Sequence, residues 1–152
     1  MKKNTIGSWI TLGHPSIAEI MGNFKFDWLC VDMEHSAIDF FEAQQLIATI
    51  QSKGIKAYVR VGENNSRIIK RVLDSGADGI IVPMVKNKEE ALDAISSVNY
   101  PPIGTRGVGL ARAQDYGLSF EKYKNNKAKN IELIIQIEHI EAINNLEEII
   151  SL

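Results

Sequence analysis

An α/β domain built on a parallel sheet is what this sequence predicts, on three observations. Short β-rich runs alternate with segments of helical spacing, and those runs are apolar almost from end to end. Polar residues gather where several of the runs finish. Near-continuous apolar strands belong to sheets covered by helices, and such sheets are parallel.

The first run, Ile6–Leu12 (IGSWITL), reads as a strand, and Ser16–Gly22 follows as a short helix. Trp28–Asp32 (WLCVD) is the second strand. A helix from about Phe40 to Lys53 follows it, with Phe41, Leu46, Ile47 and Ile50 on one face and Gly54 as the stop. Ala57–Val61 (AYVRV) leads into the helix Ser66–Ser75, closed by Gly76. Ile80–Val85 (IIVPMV) precedes the helix Glu89–Val98. The stretch from Asn99 to Asn130 has no clear period and is longer than compact domains usually allow, which marks it as a functional loop. A fifth strand, Glu132–Glu138 (ELIIQIE), and a final helix, Ala142–Ile150, complete the pattern.

Two architectures accommodate this alternation, an open doubly wound sheet and a (β/α) barrel. Both put their active sites at the C-terminal ends of the strands, where Asp32 to His35, Arg60, and Gln136 with Glu138 fall. No G-x-G-x-x-G follows the first strand, where Gly13, His14 and Pro15 stand instead, so a dinucleotide is not expected.

A chain of 152 residues, 45% hydrophobic and 24% charged, is one domain with one core. A net charge of -2, with Lys and Arg dispersed, gives no footprint for nucleic acid and no basic membrane-surface helix. Lys2 and Lys3 imitate the start of a signal peptide, but no apolar stretch of about 7–15 residues follows. The single cysteine, Cys30, cannot close an internal disulfide, which fits a reducing cytoplasm. Its neighbours Leu29 and Val31 make it a packing residue rather than a nucleophile.

The candidate chemistry lies in a few places. His35 beside Asp32 and Glu34 reads equally as a general base oriented by a carboxylate and as a solvated helix-entry cluster. Arg60 is an edge arginine in an open sheet; at a barrel mouth it would hold a carboxylate or a developing oxyanion. Gln136 and Glu138, two apart on a strand, project to one face, and a buried carboxylate there calls for a cation. Asp74 reads by itself as a polar helix-end residue, His14 as loop surface and His139 as a helix-entry residue.

The pieces "GSWITL", "FDWLCVDMEHS", "VRV", "LDSGADGIIVPMV", "YPPIGTRGVG" and "IIQIE", in this order, resemble the HpcH/HpaI family of metal-dependent class II aldolases of 2-oxo acids. The resemblance implies a (β/α)8 TIM barrel of which this chain supplies the first five strands. It also implies retro-aldol cleavage of a 4-hydroxy-2-oxo acid to pyruvate and an aldehyde. His35 would be the general base acting on the C4 hydroxyl through water, Arg60 would stabilise the oxyanion, and Asp74 would raise the basicity of His35. Glu138 would bind a divalent cation (Mg²⁺, Mn²⁺ or Co²⁺), Gln136 would contact the 2-oxo acid, and Trp9 would line the same pocket. The full-length form would be a cytoplasmic homo-oligomer. A TIM barrel takes about 250 residues and eight strands, so residues 1–152 are expected to be an incomplete barrel, the N-terminal part of an aldolase domain. The family's Gly-Pro-x-Asp-Leu turn, with the second acidic metal ligand, is absent. Two alternatives remain at this level: a non-catalytic half-barrel that has kept the signature, and a citrate-lyase-like C–C lyase of the same superfamily.

Overall fold

The computed structural model describes residues 4–152. Lys2 and Lys3, the signal-like pair, lie outside the described residues. Five strands, β1 (Gly7–Ile10), β2 (Trp28–Asp32), β3 (Lys56–Arg60), β4 (Gly79–Val82) and β5 (Glu132–Ile135), form one sheet in the order β1-β2-β3-β4-β5. Every neighbouring pair is parallel. Strand order that follows chain order without reversal is the barrel arrangement; a doubly wound sheet reverses at a switch point. The open-sheet alternative therefore fails.

Among the described residues seven α-helices accompany the strands: α1 (Pro15–Met21), α2 (Phe40–Ser52), α3 (Ser66–Asp74), α4 (Lys88–Val98), α5 (Phe120–Asn125), α6 (Ile140–Asn144) and α7 (Leu146–Ile150). Local chemistry fixes where the main ones start. Asp39 and Glu42 cap α2 reciprocally, each side chain accepting the other's backbone N–H at 2.9 Å. Asn65 and Asn87 cap α3 and α4 through their side-chain oxygens. His14 is exposed in the loop before α1, as read, and also caps that helix, its Nδ1 accepting from Ser16 N–H at 3.2 Å. His139 does the same for Glu141 at the start of α6, as a helix-entry residue should.

Strand alternation divides the sheet into two faces. Leu29, Val31, Ala57, Val59, Ile80 and Val82 are fully buried in the core that the helices close. Leu46, Ile47 and Ile50 of α2 and Ile69 and Leu73 of α3 complete that core, each with no exposed surface. Cutting Leu46 back to alanine should cost about 2–5 kcal/mol, by lost burial plus a cavity. The urea midpoint, at unchanged m-value, is the measurement that checks it. The opposite face carries Trp28 stacked on Tyr58 at 5.7 Å, then Cys30 and Ile81, then the polar strand ends. Burial pushes the Cys30 thiol up to about 12, so it stays protonated and inert.

Four expectations need correction. Phe41, expected on one face of α2 with Leu46, Ile47 and Ile50, is exposed, and Ala43 takes the buried place instead. The predicted last helix is two, broken at Asn145 (φ -104°, ψ 13°), whose side-chain amide leaves the helical path to donate to the Lys86 carbonyl at 3.0 Å. The stretch from Asn99 to Asn130 is not irregular throughout: it holds α5 and 3₁₀ turns at Arg112–Gly117 and Lys127–Asn130. The strand predicted over Glu132–Glu138 ends at Ile135, although Gln136 N–H still donates to the Val82 carbonyl at 2.9 Å. No helix among the described residues is long and apolar enough to cross a membrane.

Candidate active site

The C-terminal ends of β1, β2 and β3 converge on one guanidinium. Asp32 and Arg60 are register partners on β2 and β3, and their side chains meet as a two-pronged ion pair. Arg60 Nε donates to Asp32 Oδ1 at 2.9 Å and Nη2 donates to Oδ2 at 2.7 Å. From β1, the Trp9 ring lies 4.7 Å from the Arg60 Cζ, a cation–π contact that flattens the guanidinium against the sheet. Arg60 Nη1 has no protein partner among the described residues and is the prong left for a bound anion.

Asp32 also organises the turn that follows. Its Oδ1 accepts from the backbone N–H of Glu34 at 3.1 Å and of His35 at 3.3 Å, and Ser36 Oγ donates to its carbonyl. This turn delivers Glu34 back onto Arg60, where Nε and Oε2 approach to 3.2 Å. That contact is ionic rather than a hydrogen bond, since the Nε hydrogen is already given to Asp32; Glu34 Oε2 is accordingly buried without a donor. Glu34 Oε1 faces His35 Nε2 at 3.8 Å, and the His35 side chain is 72% exposed. One arginine thus anchors two carboxylates, the second of which borders an accessible imidazole.

Burial alone would push the Asp32 carboxyl up. The Arg60 guanidinium and the His35 and Glu34 N–H groups outweigh it and hold the carboxyl below its ordinary value. Asp32 in turn raises the Arg60 pKa against the opposing effect of burial. A carboxylate depressed in the folded state stabilises fully above the unfolded value, about 4, and loses that contribution as pH falls through the folded one. Asp32→Asn should cost about 2–3 kcal/mol near neutral pH, because Arg60 loses both charged hydrogen bonds of its two-pronged partner and keeps only the Glu34 contact. The deficit should shrink below about pH 4. Urea unfolding of both proteins across that range measures it, and a pH-independent difference would contradict the assignment.

The second group lies at the ends of β4 and β5. Glu138 Oε1 accepts from Met84 N–H at 2.9 Å, and Gln136 Nε2 approaches Glu138 Oε2 at 3.4 Å. Met84 has a positive φ of 54°, a costly conformation for a side chain of its kind, and Glu138 is what receives the N–H it presents. Gln136 Oε1 is buried without a partner. A carboxylate and an orphaned amide oxygen are the hard donors that Mg²⁺, Mn²⁺ or Co²⁺ prefers, so the residues fit a divalent cation in kind. They are a fraction of its shell: no group of three or more His, Cys, Asp or Glu that could hold a metal is present among the described residues.

Trp9, His35, Arg60, Gln136 and Glu138 thus share one edge of the sheet, in two sets with no hydrogen bond or ion pair between them. Asp74 does not join them. It ends α3, and its Oδ1 accepts from Arg106 Nη2 at 2.9 Å. The carboxylate within ion-pair reach of the His35 ring is Glu34, so the expected Asp74–His35 partnership is absent within this chain. That Arg60 is held chiefly by Asp32 was missed at the level of sequence. The signal was there as a strand register that sets the two last residues side by side, but register is not legible before pairing is known.

The family model described as HpcH/HpaI aldolase/citrate lyase matches residues 5–152. A 2-dehydro-3,6-dideoxy-6-sulfogluconate aldolase of Pseudomonas putida is 41% identical over 145 residues, covering 95% of this chain and 56% of that protein. A hydroxypyruvate/pyruvate aldolase of Sagittula stellata is 36% identical over 147 residues, covering 96% and 58%. The crystal structure of an HpcH/HpaI aldolase/citrate lyase family protein from Burkholderia cenocepacia superposes with a TM-score of 0.91 at 28% identity, covering 97% of this chain and 60% of that one. The chain therefore spans a little over half the length of the curated relatives it matches.

Proposed function

The chain belongs to the HpcH/HpaI aldolase/citrate lyase family, and from that premise we propose that the whole protein is a divalent-metal-dependent aldolase. It cleaves a 4-hydroxy-2-oxo acid to pyruvate and an aldehyde, with this chain supplying the first five strands of the eight in its barrel. The observation that carries the reading is the Arg60 cluster: a guanidinium fixed by Asp32 and Trp9, with one free prong, beside an accessible histidine bordered by Glu34.

The chemistry follows from these positions. His35, reached through water, takes the proton from the C4 hydroxyl. The oxygen electrons form the aldehyde carbonyl as the C3–C4 bond breaks, and that bond's electron pair passes into the 2-oxo acid fragment. The fragment is released as pyruvate after protonation at C3. Arg60 Nη1 is placed to meet negative charge as it develops on oxygen, from a fixed position that needs no reorganisation. Glu34 stabilises the imidazolium that His35 becomes. Gln136 positions the 2-oxo acid end of the substrate. A divalent cation held through Glu138 would neutralise the charge left on the 2-oxo acid fragment. No lysine ends a strand on the C-terminal side among the described residues, where the site residues gather, so covalent imine chemistry has no candidate there.

The names of the relatives support the reaction class, the unpaired Cys30 fits a cytoplasmic location, and a homo-oligomeric working form is proposed on the family resemblance alone. The test is pyruvate release by the whole protein from a 4-hydroxy-2-oxo acid, with Mn²⁺ and after chelation. Turnover that disappears with the metal and returns on adding it is expected. Absence of pyruvate under both conditions, across several such acids, would remove the proposal.

A further inference from the structure

The outer surface of the domain carries a second concentration of charge that the aldol chemistry does not use. Between α3, the C-terminal end of α4 and the loop around Arg106 lies a cavity of about 100 Å³. Three cations, Arg67, Lys70 and Arg106, line it together with the hydroxyl residues Ser66, Ser97 and Thr105, and no carboxylate does. Arg67 and Lys70 have no ion-pair partner among the described residues. Arg106 is 3% exposed, and its Nη atoms are committed to Asp74 at 2.9 Å and to the Tyr123 hydroxyl at 3.1 Å. Its Nε is buried with no acceptor at all.

Like charges gathered around one small space repel, and a buried donor without an acceptor costs free energy. Both costs fall if an anion occupies the cavity. The hydroxyls refine the choice. Ser97 spends its hydrogen on the Asp93 carbonyl at 2.7 Å and has none to give. Thr105 and Ser96 share one hydrogen bond at 3.0 Å; with Ser96 as its donor, the Thr105 hydrogen is free. Donors then come from α3 on one side and from the loop on the other, surrounding the space instead of offering one flat fork. A planar carboxylate presents its two oxygens along one edge. A compact ion with oxygens on every side suits the enclosure better.

We propose that this cavity binds a tetrahedral oxyanion, phosphate or sulfate, either free or as the terminal group of a small metabolite. None of its lining residues belongs to the Arg60 cluster, so the inference stands or falls separately from the aldol reading. An ion there is held by α3 and by Arg106, the residue that ties the stretch after α4 to α3. Binding therefore stabilises that tie as well as the cavity.

Calorimetric titration of the purified protein with inorganic phosphate, at ionic strength held constant with chloride, tests the site, with melting temperature as a second readout. One saturable site and a rising melting temperature are expected. The double variant Arg67→Ala/Lys70→Ala removes two surface cations without touching Arg106, and should weaken phosphate by roughly 10-fold or more. Lys88→Ala, an exposed cation elsewhere, should leave the affinity unchanged. A sugar phosphate that binds more tightly than the free ion identifies an esterified group as the ligand, and equal affinity identifies the free ion. No saturable binding overturns the proposal. So does equal stabilisation of parent and double variant, which is a general salt effect.

Discussion

Replacing Arg60 by lysine in the whole protein should lower kcat by on the order of 10²-fold or more, with little change in affinity for the divalent cation. The charge is retained and the shape is lost. Arg60 gives two parallel bonds to Asp32, at 2.9 and 2.7 Å, lies against the Trp9 ring at 4.7 Å, and still has Nη1 in reserve. An ammonium is a point charge on a flexible stem; it can pair with Asp32 or turn to a substrate oxygen, but cannot hold both in a fixed plane. An interaction made mainly in the transition state appears in kcat rather than in KM. Steady-state kinetics with an unchanged kcat would take Arg60 out of the mechanism.

His35→Asn should cost about 10²–10⁴-fold in kcat, the usual range for loss of a positioned general base. The more discriminating readout is the pH profile. The acid limb of kcat/KM that reports deprotonation of His35 should disappear in the variant, which a purely structural role would not produce. Glu34→Gln should have a smaller effect in the same direction. It keeps the shape of the side chain near Arg60 but removes the charge 3.8 Å from the ring. If Glu34→Gln left both the rate and the profile unchanged, the imidazolium would need another counter-charge.

The fold was legible wherever one local pattern decided it. WLCVD is a strand over Trp28–Asp32 as read, because four of its residues are buried and its ends are polar or aromatic. The extent of α2 followed from its apolar spacing and a glycine stop, and the structure adds the Asp39 cap and puts Gly54 at φ 74°. What escaped were features set by partners far along the chain. Arg106 lies in a stretch read as lacking a clear period, yet its burial depends on Asp74 and Tyr123, which are 32 and 17 residues away. The break at Asn145 depends on a carbonyl 59 residues earlier. Asp74 shows the limit of carrying a role over by position. Its place at the end of α3 was read correctly, but within this chain its carboxylate belongs to Arg106.

The Asp32–Arg60 pair has a consequence for how such a sequence can change over generations. Each residue depends on the other: Asp32 alone would lose the guanidinium that faces it, and Arg60 alone would keep only the Glu34 contact. Substitutions at neighbours this close combine non-additively. A lineage that lost one partner first would cross a poorly folded intermediate before the second change could arrive. Trp9 and Glu34, which rest on the same guanidinium, share that dependence. Substitutions at these four positions, on three strands and the turn after β2, are therefore expected to be tolerated together more readily than one at a time.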